Sequence, residues 1–390
     1  MAILERGFLV SAGDSFPLLC THDEYSLWFG LDDGSLTSRP FCTCSWHSSL
    51  SRTAIYRMGE TLRDEGLRKA IQEACSSVST VPSTSSSEKG DEAGASSSSS
   101  HVVVLGEGSL IGVMAAAFAA TVTIVSPTAN YRRMIHKYLR HYGPRLGNVR
   151  LVASTAEIEE KPSLILGAPS LLSSVLPWDD LPFWFEAHAL RERFGGDVRV
   201  MPEECRVVAL PMSFVHLHKT ASRVGTVSGF DLGHFDDLSE KSRCAVDAVV
   251  DECSLWEYEG GPSHMEKGEP LRPREVLSLD LRHPPTTTES VSEIECGEGT
   301  NGMALWTEWR FGEHVVTTGW REGEIRGWHP GYKQGVYFIP PSQLGASRLW
   351  AKTEFKATSG EVHFQFSRTS IPQRWFTDGT KACEFARSLK

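Results

Sequence analysis

Residues 102–112 read Val-Val-Val-Leu-Gly-Glu-Gly-Ser-Leu-Ile-Gly, and this run constrains the fold more than any other part of the chain. Val102 to Leu105 predict a buried β-strand, because they are all apolar and mostly β-branched. Gly106 and Gly108 permit a tight turn and a close approach of the backbone to a bound cofactor. Leu110 stands where a third glycine is usual. The run is therefore typical of the first strand and turn of a nucleotide-binding α/β sheet.

The polar groups that such a turn needs are missing from the sequence. The second predicted strand, 122–125, ends in Ser126, where a ribose-binding turn carries Asp or Glu to accept hydrogen bonds from the sugar hydroxyls. Glu107 is a candidate cofactor contact, although we favour a solvated turn residue. Gly106 and Gly108 are interpreted as a tight connection without a ligand. The candidate cofactor-binding residues are thus Gly106, Glu107, Gly108 and Ser126, in a degenerate form.

Composition limits the classes of function. A chain of 390 residues predicts two or three domains, and its net charge of −10 argues against a general nucleic-acid binder. The nine scattered cysteines favour a reducing compartment, so we expect the cytoplasm or the nucleus. No secretory signal is visible. Glu107 and several glycines interrupt the apolar stretch 102–125, which argues against a membrane span.

The first half of the chain alternates between strand and helix patterns. Residues 6–30 predict a hairpin and 53–75 have a helical pattern with a broad apolar face, whereas the Ser-rich run 76–100 predicts a disordered insert. Alternation from 101 to about 200 predicts a mostly parallel sheet. The predicted strands are 102–105, 121–125, 149–152, 163–166 and 198–201, and the predicted helices are 110–120, 129–142 and 180–194, with 183–185 as an aromatic core anchor.

From residue 204 onward the pattern is typical of β-strands alone, with no helical period before 381–389. His216 and His218 alternate with apolar neighbours, which predicts the polar face of a strand. The fold class is therefore α/β followed by β, with a barrel or sandwich appended. The predicted strands are 206–210, 215–218, 277–281, 303–311, 315–320, 336–339, 349–355 and 362–366, with a tight turn at Ser359-Gly360 between the last two.

Six short stretches, taken in order, resemble the protein arginine methyltransferases, in particular the second module of their two-module, monomethylating (type III) members. Each motif alone is weak, but their order along the chain is specific. The resemblance covers about residues 40–370. The stretches are Leu-Gly-Ala-Pro at 166–169, Ser-Val-Leu-Pro-Trp at 174–178, Phe-Trp-Phe at 183–185, residues 224–236, Leu-Trp-Glu-Tyr at 255–258 and Tyr-Lys-Gln-Gly-Val-Tyr-Phe at 332–338.

The resemblance implies a division of the chain into domains. It implies a Rossmann-like S-adenosylmethionine methyltransferase domain at 101–203, a β-barrel domain at 204–390 and a helical dimerisation arm at about 230–250. Residues 41–75 are expected to form an N-terminal helical segment. Residues 21–28 are similar to the last barrel strand of a preceding module, so we interpret 1–40 as a remnant of that module with its linker. We therefore expect the chain to be the tail of a longer protein.

The family binds S-adenosylmethionine and holds the substrate guanidinium between two glutamates, because paired carboxylates match that planar cation. The resemblance places these glutamates at Ala168 and at Ser173 or Ser174. Four other family positions also lack the expected side chain. The ribose acid falls on Ser126, the aspartate of the first strand on Val104, the cofactor-binding arginine near Gly66 and the Thr-His-Trp loop on Pro330-Gly331-Tyr332. Arg68 is two positions from Gly66. The module is therefore predicted to be catalytically degenerate.

Cysteine and histidine spacing suggests a zinc site, because Cys-x-Cys with a nearby His can supply three soft ligands. Cys42, Cys44 and His47 have this spacing, and Cys20 or His22 could complete a tetrahedron. Some two-module relatives carry a zinc clip where their modules join, and two of its four ligand positions fall here on Thr21 and Ser26. Reduced, buried thiols remain the alternative interpretation.

The resemblance implies S-adenosylmethionine-dependent methyl transfer to protein arginine in an intact two-module protein. Its substrates would be arginine-containing proteins such as histones or RNA-binding proteins. In this interpretation the present module serves as the intramolecular dimer partner of an N-terminal methyltransferase module. Two alternatives remain open: an active enzyme with a divergent site in this chain, and a non-catalytic module that binds Arg-rich peptides. We expect no direct contact with nucleic acid or membrane.

Overall fold

A computed structural model describes most of the chain outside the N-terminal region, the Ser-rich run and the C-terminus. Within that part, no helix is both long and apolar enough to cross a membrane. The described residues are 15, 17–22, 27–31, 52–78, 100–107, 110–142, 146–167, 181–221, 223–245, 250–258, 265–266, 269–270, 272–321, 327–340 and 343–369.

A five-stranded parallel sheet forms the centre of the α/β half. Its strand order is β5-β4-β3-β6-β7, so β3 lies in the middle, with β4 and β5 on one side and β6 and β7 on the other. β3 is buried along its whole length, as the apolar run predicts for a strand covered on both faces. The strands are β3 (His101–Leu105), β4 (Thr121–Val125), β5 (Val149–Val152), β6 (Leu164–Gly167) and β7 (Arg199–Met201).

Helices cover this sheet and precede it. In α4 the side chains of Tyr131 and Ile135 are buried, which follows from their spacing of four residues along one helix face. Gly112 in α3 lies close to the sheet, since a Cβ there would lie 2.7 Å from Ile124 Cδ1. The helices are α1 (Arg52–Arg63), α2 (Glu65–Val78), α3 (Ile111–Ala115), α4 (Ala129–Tyr142) and α5 (Leu181–Phe194).

The β-rich half contains two larger antiparallel sheets. One has the order β11-β18-β16-β8-β14, with β17 also paired to β16, and the other has the order β15-β19-β20. Their strands are β8 (Glu204–Met212), β11 (Asp251–Cys253), β14 (Arg274–Asp280), β15 (Thr288–Glu295), β16 (Gly302–Phe311), β17 (His314–Thr317), β18 (Gln334–Phe338), β19 (Arg348–Lys356) and β20 (Glu361–Ser367). This half is confirmed as β-rich, whereas a closed barrel remains a prediction.

Short elements complete the described chain. They are the hairpin β1 (Leu18–His22) and β2 (Leu27–Leu31), the paired strands β9 (Thr226–Val227) with β10 (Phe230–Asp231) and β12 (Met265–Glu266) with β13 (Glu269–Pro270), and the helices α6 (His216–Ala221), α7 (Gly233–Ala245) and α8 (Leu255–Tyr258). Helix α7 lies within the predicted arm at 230–250. The hairpin agrees with the described part of the predicted hairpin at 6–30.

One apolar core runs through both halves of the molecule, and a second core lies within the β-rich half. Helix α5 connects the halves directly. The Trp184 ring stacks on Phe355 with ring centroids 5.5 Å apart, and its Nε1 donates a hydrogen bond to the His283 carbonyl at 2.7 Å. Because an aromatic ring of this size buries much apolar surface, this contact holds the α/β half against the strands.

One predicted helix and the predicted insert have different limits in the structure. The helical pattern at 53–75 forms two helices, because the Asp64 carboxylate accepts a hydrogen bond from the Leu67 backbone at 2.9 Å and thereby caps a new helix. That second helix extends through 76–78, which were assigned to the disordered insert. The helix at 110–120 is confined to five residues, followed by a turn. The rest of the insert lies outside the described residues.

Three further predictions, two in the β-rich half and one on α5, are wrong. Residues 216–218 belong to a helix and not to a strand, so His216 and His218 do not lie on a strand face. The helical turn buries Leu217 and leaves Val215 about half exposed. Helix α7 contradicts the absence of helices before 381. Phe185 is 40% exposed and is no core anchor, in contrast to its buried neighbours Phe183 and Trp184.

Candidate functional site

In this topology a ligand site is expected at the carboxyl end of β3. The strand order reverses there, because β4 and β5 lie on one side of β3 and β6 and β7 on the other. Gly106 adopts φ +94° immediately after the strand, a conformation that favours glycine. Gly167 ends the neighbouring strand β6, and a Cβ there would lie 2.8 Å from the Phe183 ring. The backbone therefore forms the crevice of a nucleotide-binding sheet.

A hydrogen-bonded network spans the side of the crevice where a ribose would bind. The Glu107 carboxylate accepts a short hydrogen bond from Ser126 Oγ and a second from the Thr128 backbone at 2.8 Å. Ser126 is fully buried, and Arg132 donates hydrogen bonds to the carbonyls of Ser126 and Pro127. Glu107 lies in the turn, as expected, and is partly exposed, but its carboxylate also connects the glycine turn to the end of β4.

The His314 ring covers Gly66, the position near which the family's cofactor-binding arginine falls. A Cβ on Gly66 would lie 2.2 Å from His314 Nδ1, so only glycine fits beneath this ring. His314 Nε2 lies 2.9 Å from Asp64 Oδ1. Burial opposes ionisation of Asp64, but hydrogen bonds from His314 and the Leu67 backbone outweigh it and hold the pKa of this carboxyl below its usual value. Arg68 points elsewhere and lies 3.6 Å from Glu65.

The turn at 330–332 is closed in a similar way. Gly331 adopts φ +136°, and a Cβ there would lie 3.1 Å from Tyr56 Cδ1 and 3.5 Å from Arg57 Cγ, both on α1. Arg57 is buried, with its guanidinium carbon 5.5 Å from the centre of the Tyr332 ring. A histidine at 331, as in the family's loop, would be strained and would collide with α1. The Val104 side chain is likewise buried in the core.

A cleft with a volume of about 370 Å³ lies between α1, α2, the start of α3 and the turn that precedes β18. Glu60 pairs with Arg63 at 3.0 Å and with Arg321 at 3.5 Å, while Asp64 pairs with His314. Both carboxylates among the described residues of the cleft are thus engaged by other side chains, Glu60 by two arginines and Asp64 by the His314 ring.

His329 also lines the cleft. Burial, together with the nearby charges of Arg321 and Arg57, lowers the pKa of His329 to about 3. Its ring is therefore neutral at physiological pH. The ring packs edge-on against Tyr332, with centroids 4.6 Å apart. Trp328, the residue before His329, is buried in the second core.

Gln334 is fully buried and connects three backbone segments. Its amide donates hydrogen bonds to the carbonyls of Thr318 and Tyr332, at 2.8 and 3.2 Å, and accepts one from the Leu255 backbone at 3.1 Å. Because these bonds occupy both ends of the amide, Gln334 is a structural residue that fixes the turn at 330–332 beside the cleft.

Several predicted site residues lie outside the described part of the chain. They are Gly108, the glutamate positions Ala168, Ser173 and Ser174, and the zinc candidates Cys42, Cys44 and His47. Cys20 is exposed on β1, and His22 ends that strand. Among the described residues, no group of three or more His, Cys, Asp or Glu is placed to hold a metal ion. Zinc binding therefore stays a prediction.

Sequence reasoning missed the charged residues of the cleft. Arg57, Glu60 and Asp64 recur at intervals of three and four residues, which places them on one face of a helix and is a signal that could have been found. His314 lies on β17 and Arg321 follows that strand, both far from α1 and α2 in the sequence. Their proximity to α1 and α2 depends on the packing of the two halves, and no local pattern predicts it.

Comparison with known proteins agrees with the resemblance drawn from the motifs. The chain is 34% identical over 365 residues to protein arginine N-methyltransferase 7 of Caenorhabditis briggsae, covering 93% of this chain and 51% of the relative. It is 31% identical over 386 residues to the Drosophila melanogaster protein of that name, with 93% and 51% coverage. The chain is thus a relative of the protein arginine methyltransferases over nearly its whole length, and it spans about half the length of these relatives.

The fold agrees with a solved structure. A Trypanosoma brucei PRMT1 enzyme–prozyme heterotetrameric complex with AdoHcy superimposes with a TM-score of 0.50 at 12% identity, over 80% of this chain and 96% of that one. At this identity the likeness supports the fold: a Rossmann-like methyltransferase sheet joined to a β-rich half. No profile of a known protein family matches the chain.

The side chains at the crevice do not fit S-adenosylmethionine. No carboxylate ends β4, and Glu107 Oε1 is occupied by Ser126 and Thr128. The position at Gly66 cannot carry a side chain while His314 lies over it. A ribose and a carboxylate brought here would have to displace these contacts, which costs free energy that a complementary site would not require.

Proposed function

We propose that this chain is a non-catalytic methyltransferase module that pairs with a catalytic arginine methyltransferase module. The observation that carries this proposal is the closure of the cofactor crevice by the bond between Ser126 and Glu107. The glycine substitutions at 66 and 331 support it, because each lets another side chain fill a position where the family carries a functional group. In an intact protein, the paired module would transfer methyl groups from S-adenosylmethionine to protein arginine.

The charges of the cleft weigh against both alternatives. A substrate or peptide guanidinium needs free carboxylates, whereas Glu60 is paired with two arginines and Asp64 is bonded to the His314 ring. Arg57 and Arg321 line the same cleft and would repel a further guanidinium. An active enzyme with a divergent site and a module that binds Arg-rich peptides are both less compatible with this arrangement.

Isothermal titration with S-adenosylmethionine and with its demethylated product tests the closed crevice. We expect no saturable heat up to about 1 mM ligand, because the ribose and carboxylate contacts are missing. The same titrations with an Arg/Gly-rich peptide should also be silent. A dissociation constant in the micromolar range for either cofactor form would contradict the proposal, and binding of the peptide would favour a non-catalytic module that binds Arg-rich peptides.

The pairing surface is expected on the arm formed by β9, β10 and α7. The arm exposes large apolar side chains to solvent: the exposed fraction is 74% for Phe230, 68% for Phe235 and 51% for Leu238. The Asp236 carboxylate accepts hydrogen bonds from the Val224 and Gly225 backbones at 3.0 and 2.8 Å, which fixes the base of the arm. An ordered apolar arm fits docking onto the α/β half of another module.

Because the arm and an α/β half are both present in this chain, two copies can serve as a test of pairing. We expect sedimentation velocity to show a reversible dimer, and the double substitution Phe235→Asp with Leu238→Asp to weaken it by at least about tenfold. The substitution Val315→Asp is the control, since Val315 is 42% exposed on β17, outside the arm. A wild-type chain that stays monomeric at all concentrations, or equal weakening by the control, would argue against this arm as the pairing surface.

A further inference from the structure

Helix α4 presents a basic face in a chain that is acidic overall. Residues 108–156 contain no Asp or Glu, although the chain carries a net charge of −10. Within this stretch, the side chains exposed on α4 are almost all basic, whereas its apolar side chains are buried or half-buried against the core. The exposed residues, called the α4 basic face below, are Arg133, His136, Lys137, Arg140 and His141.

The cations of this face differ from other surface cations in lacking acidic neighbours. Within the described part of the chain, Arg133, Lys137 and Arg140 make no ion pair or side-chain hydrogen bond. By contrast, Lys69 pairs with Glu73 at 3.8 Å and Arg348 pairs with Glu293. Unpaired like charges on adjacent helix turns repel one another, so the α4 basic face costs stability that an anionic partner would recover.

An apolar depression lies within the basic face. Half-buried Met134 and Tyr138 form its floor, and Lys137, Arg140 and His141 surround it. The methionine side chain adapts its shape to different apolar groups, and the tyrosine ring offers a flat contact surface. The depression therefore suits one apolar side chain with negative charges on both sides of it.

The dimensions of the face select an extended peptide as the partner. Arg133 and Arg140 are seven residues apart, which corresponds to about 10 Å along the helix axis. Three or four residues of an extended chain span this distance. A long polyanion such as RNA would also meet the field of the remaining acidic surface, which a short peptide largely avoids.

We propose that the α4 basic face binds an acidic, extended segment of a partner protein, with one apolar side chain of that segment inserted between Met134 and Tyr138. Acidic side chains on either side of the inserted residue pair with Arg133, Lys137 and Arg140. The interaction is electrostatic at its rim and apolar at its centre, the arrangement found in many protein interfaces.

Fluorescence anisotropy with the full chain tests this proposal. The probe is a labelled peptide, Gly-Ser-Glu-Glu-Phe-Glu-Glu-Ser-Gly, at about 20 mM salt, where surface charges are least screened. We expect saturable binding that the double substitution Lys137→Glu with Arg140→Glu weakens by at least about tenfold. A peptide with Ser in place of Phe should bind several-fold more weakly, because the depression then stays empty.

The matched control is Lys69→Glu with Arg348→Glu, which changes the net charge by the same amount at two exposed sites outside α4. We expect this control to bind like the wild type. Equal weakening by both pairs, no saturable binding, or equal affinity for the Ser peptide would overturn the proposal. An oligothymidylate that binds more tightly than the peptide would also overturn it. If charge reversal unfolds the protein, Lys137→Gln with Arg140→Gln replaces it.

Discussion

Replacing Trp306 by alanine is expected to lower the free energy of unfolding of the β-rich half by about 3–5 kcal/mol, the range typical for truncation of a buried aromatic side chain. Trp306 is 1% exposed on β16 and packs edge-on against Trp328, with ring centroids 5.9 Å apart. The neighbouring backbone is shaped to the ring, since a Cβ on Gly319 would lie 2.1 Å from Trp306 Cγ. The surrounding groups can therefore collapse only partly into the space that the ring leaves.

Urea unfolding followed by circular dichroism measures this loss. The control is Trp306→Phe, which keeps an aromatic ring in place and should cost less than half as much. The indole Nε1 donates a hydrogen bond to Glu308 at 3.2 Å, and both substitutions remove it. The difference between the variants therefore reports on packing. A loss below about 1 kcal/mol for Trp306→Ala would show that the second core does not depend on this ring.

The parallel sheet could be predicted from the sequence, because its strands are buried on both faces and are separated by helices of distinct period. β4, β5 and helix α4 have the predicted limits, and the limits of the other sheet strands differ from the prediction by no more than one residue at either end. The chain around Val215 was misassigned, because two apolar residues separated by one position fit a strand and a single helical turn equally well. Leu217 is buried by tertiary packing, which a window of four residues does not report.

Helix α7 was missed for a different reason. Helical periodicity is recognised by an apolar stripe that faces a core, but Phe235 and Leu238 on this helix face solvent. Only the resemblance to a known family, and not the pattern itself, predicted a helical arm here. An element that is shaped for a partner carries little of the signal that folding alone imposes.

The candidate site could be predicted only in part. The loss of a carboxylate at Ser126 is visible in the sequence, but its replacement is not. Glu107 lies 19 positions away and reaches Ser126 only because β3 and β4 are adjacent in the sheet. Similarly, Gly66 signals that space is needed, whereas the identity of the group that fills it, His314, depends on the docking of β17. The sequence alone thus shows which functional side chains are missing, whereas tertiary packing determines which side chains occupy their positions.

Restoring the family's acid by Ser126→Asp is expected to destabilise the chain, by about 3 kcal/mol near neutral pH. Ser126 is fully buried and donates a hydrogen bond to Glu107, which an ionised aspartate cannot do. Two carboxylates would then share one site, and like charges raise the pKa of one of them. The loss should therefore shrink as the pH is lowered and the pair takes up a proton.

A double-mutant cycle isolates this repulsion. Adding Glu107→Gln to Ser126→Asp should recover more than half of the lost stability, because the new amide donates to the aspartate while Thr128 can still donate to its oxygen. Ser126→Ala removes only the donor and should cost about 1 kcal/mol. If Ser126→Asp is as stable as the wild type, or if it binds S-adenosylmethionine in the micromolar range, Glu107 does not close the crevice and the module has lost no more than a single contact. A large coupling energy between positions 107 and 126 would instead show that the Glu107 carboxylate lies against position 126, as the proposed closure of the crevice requires.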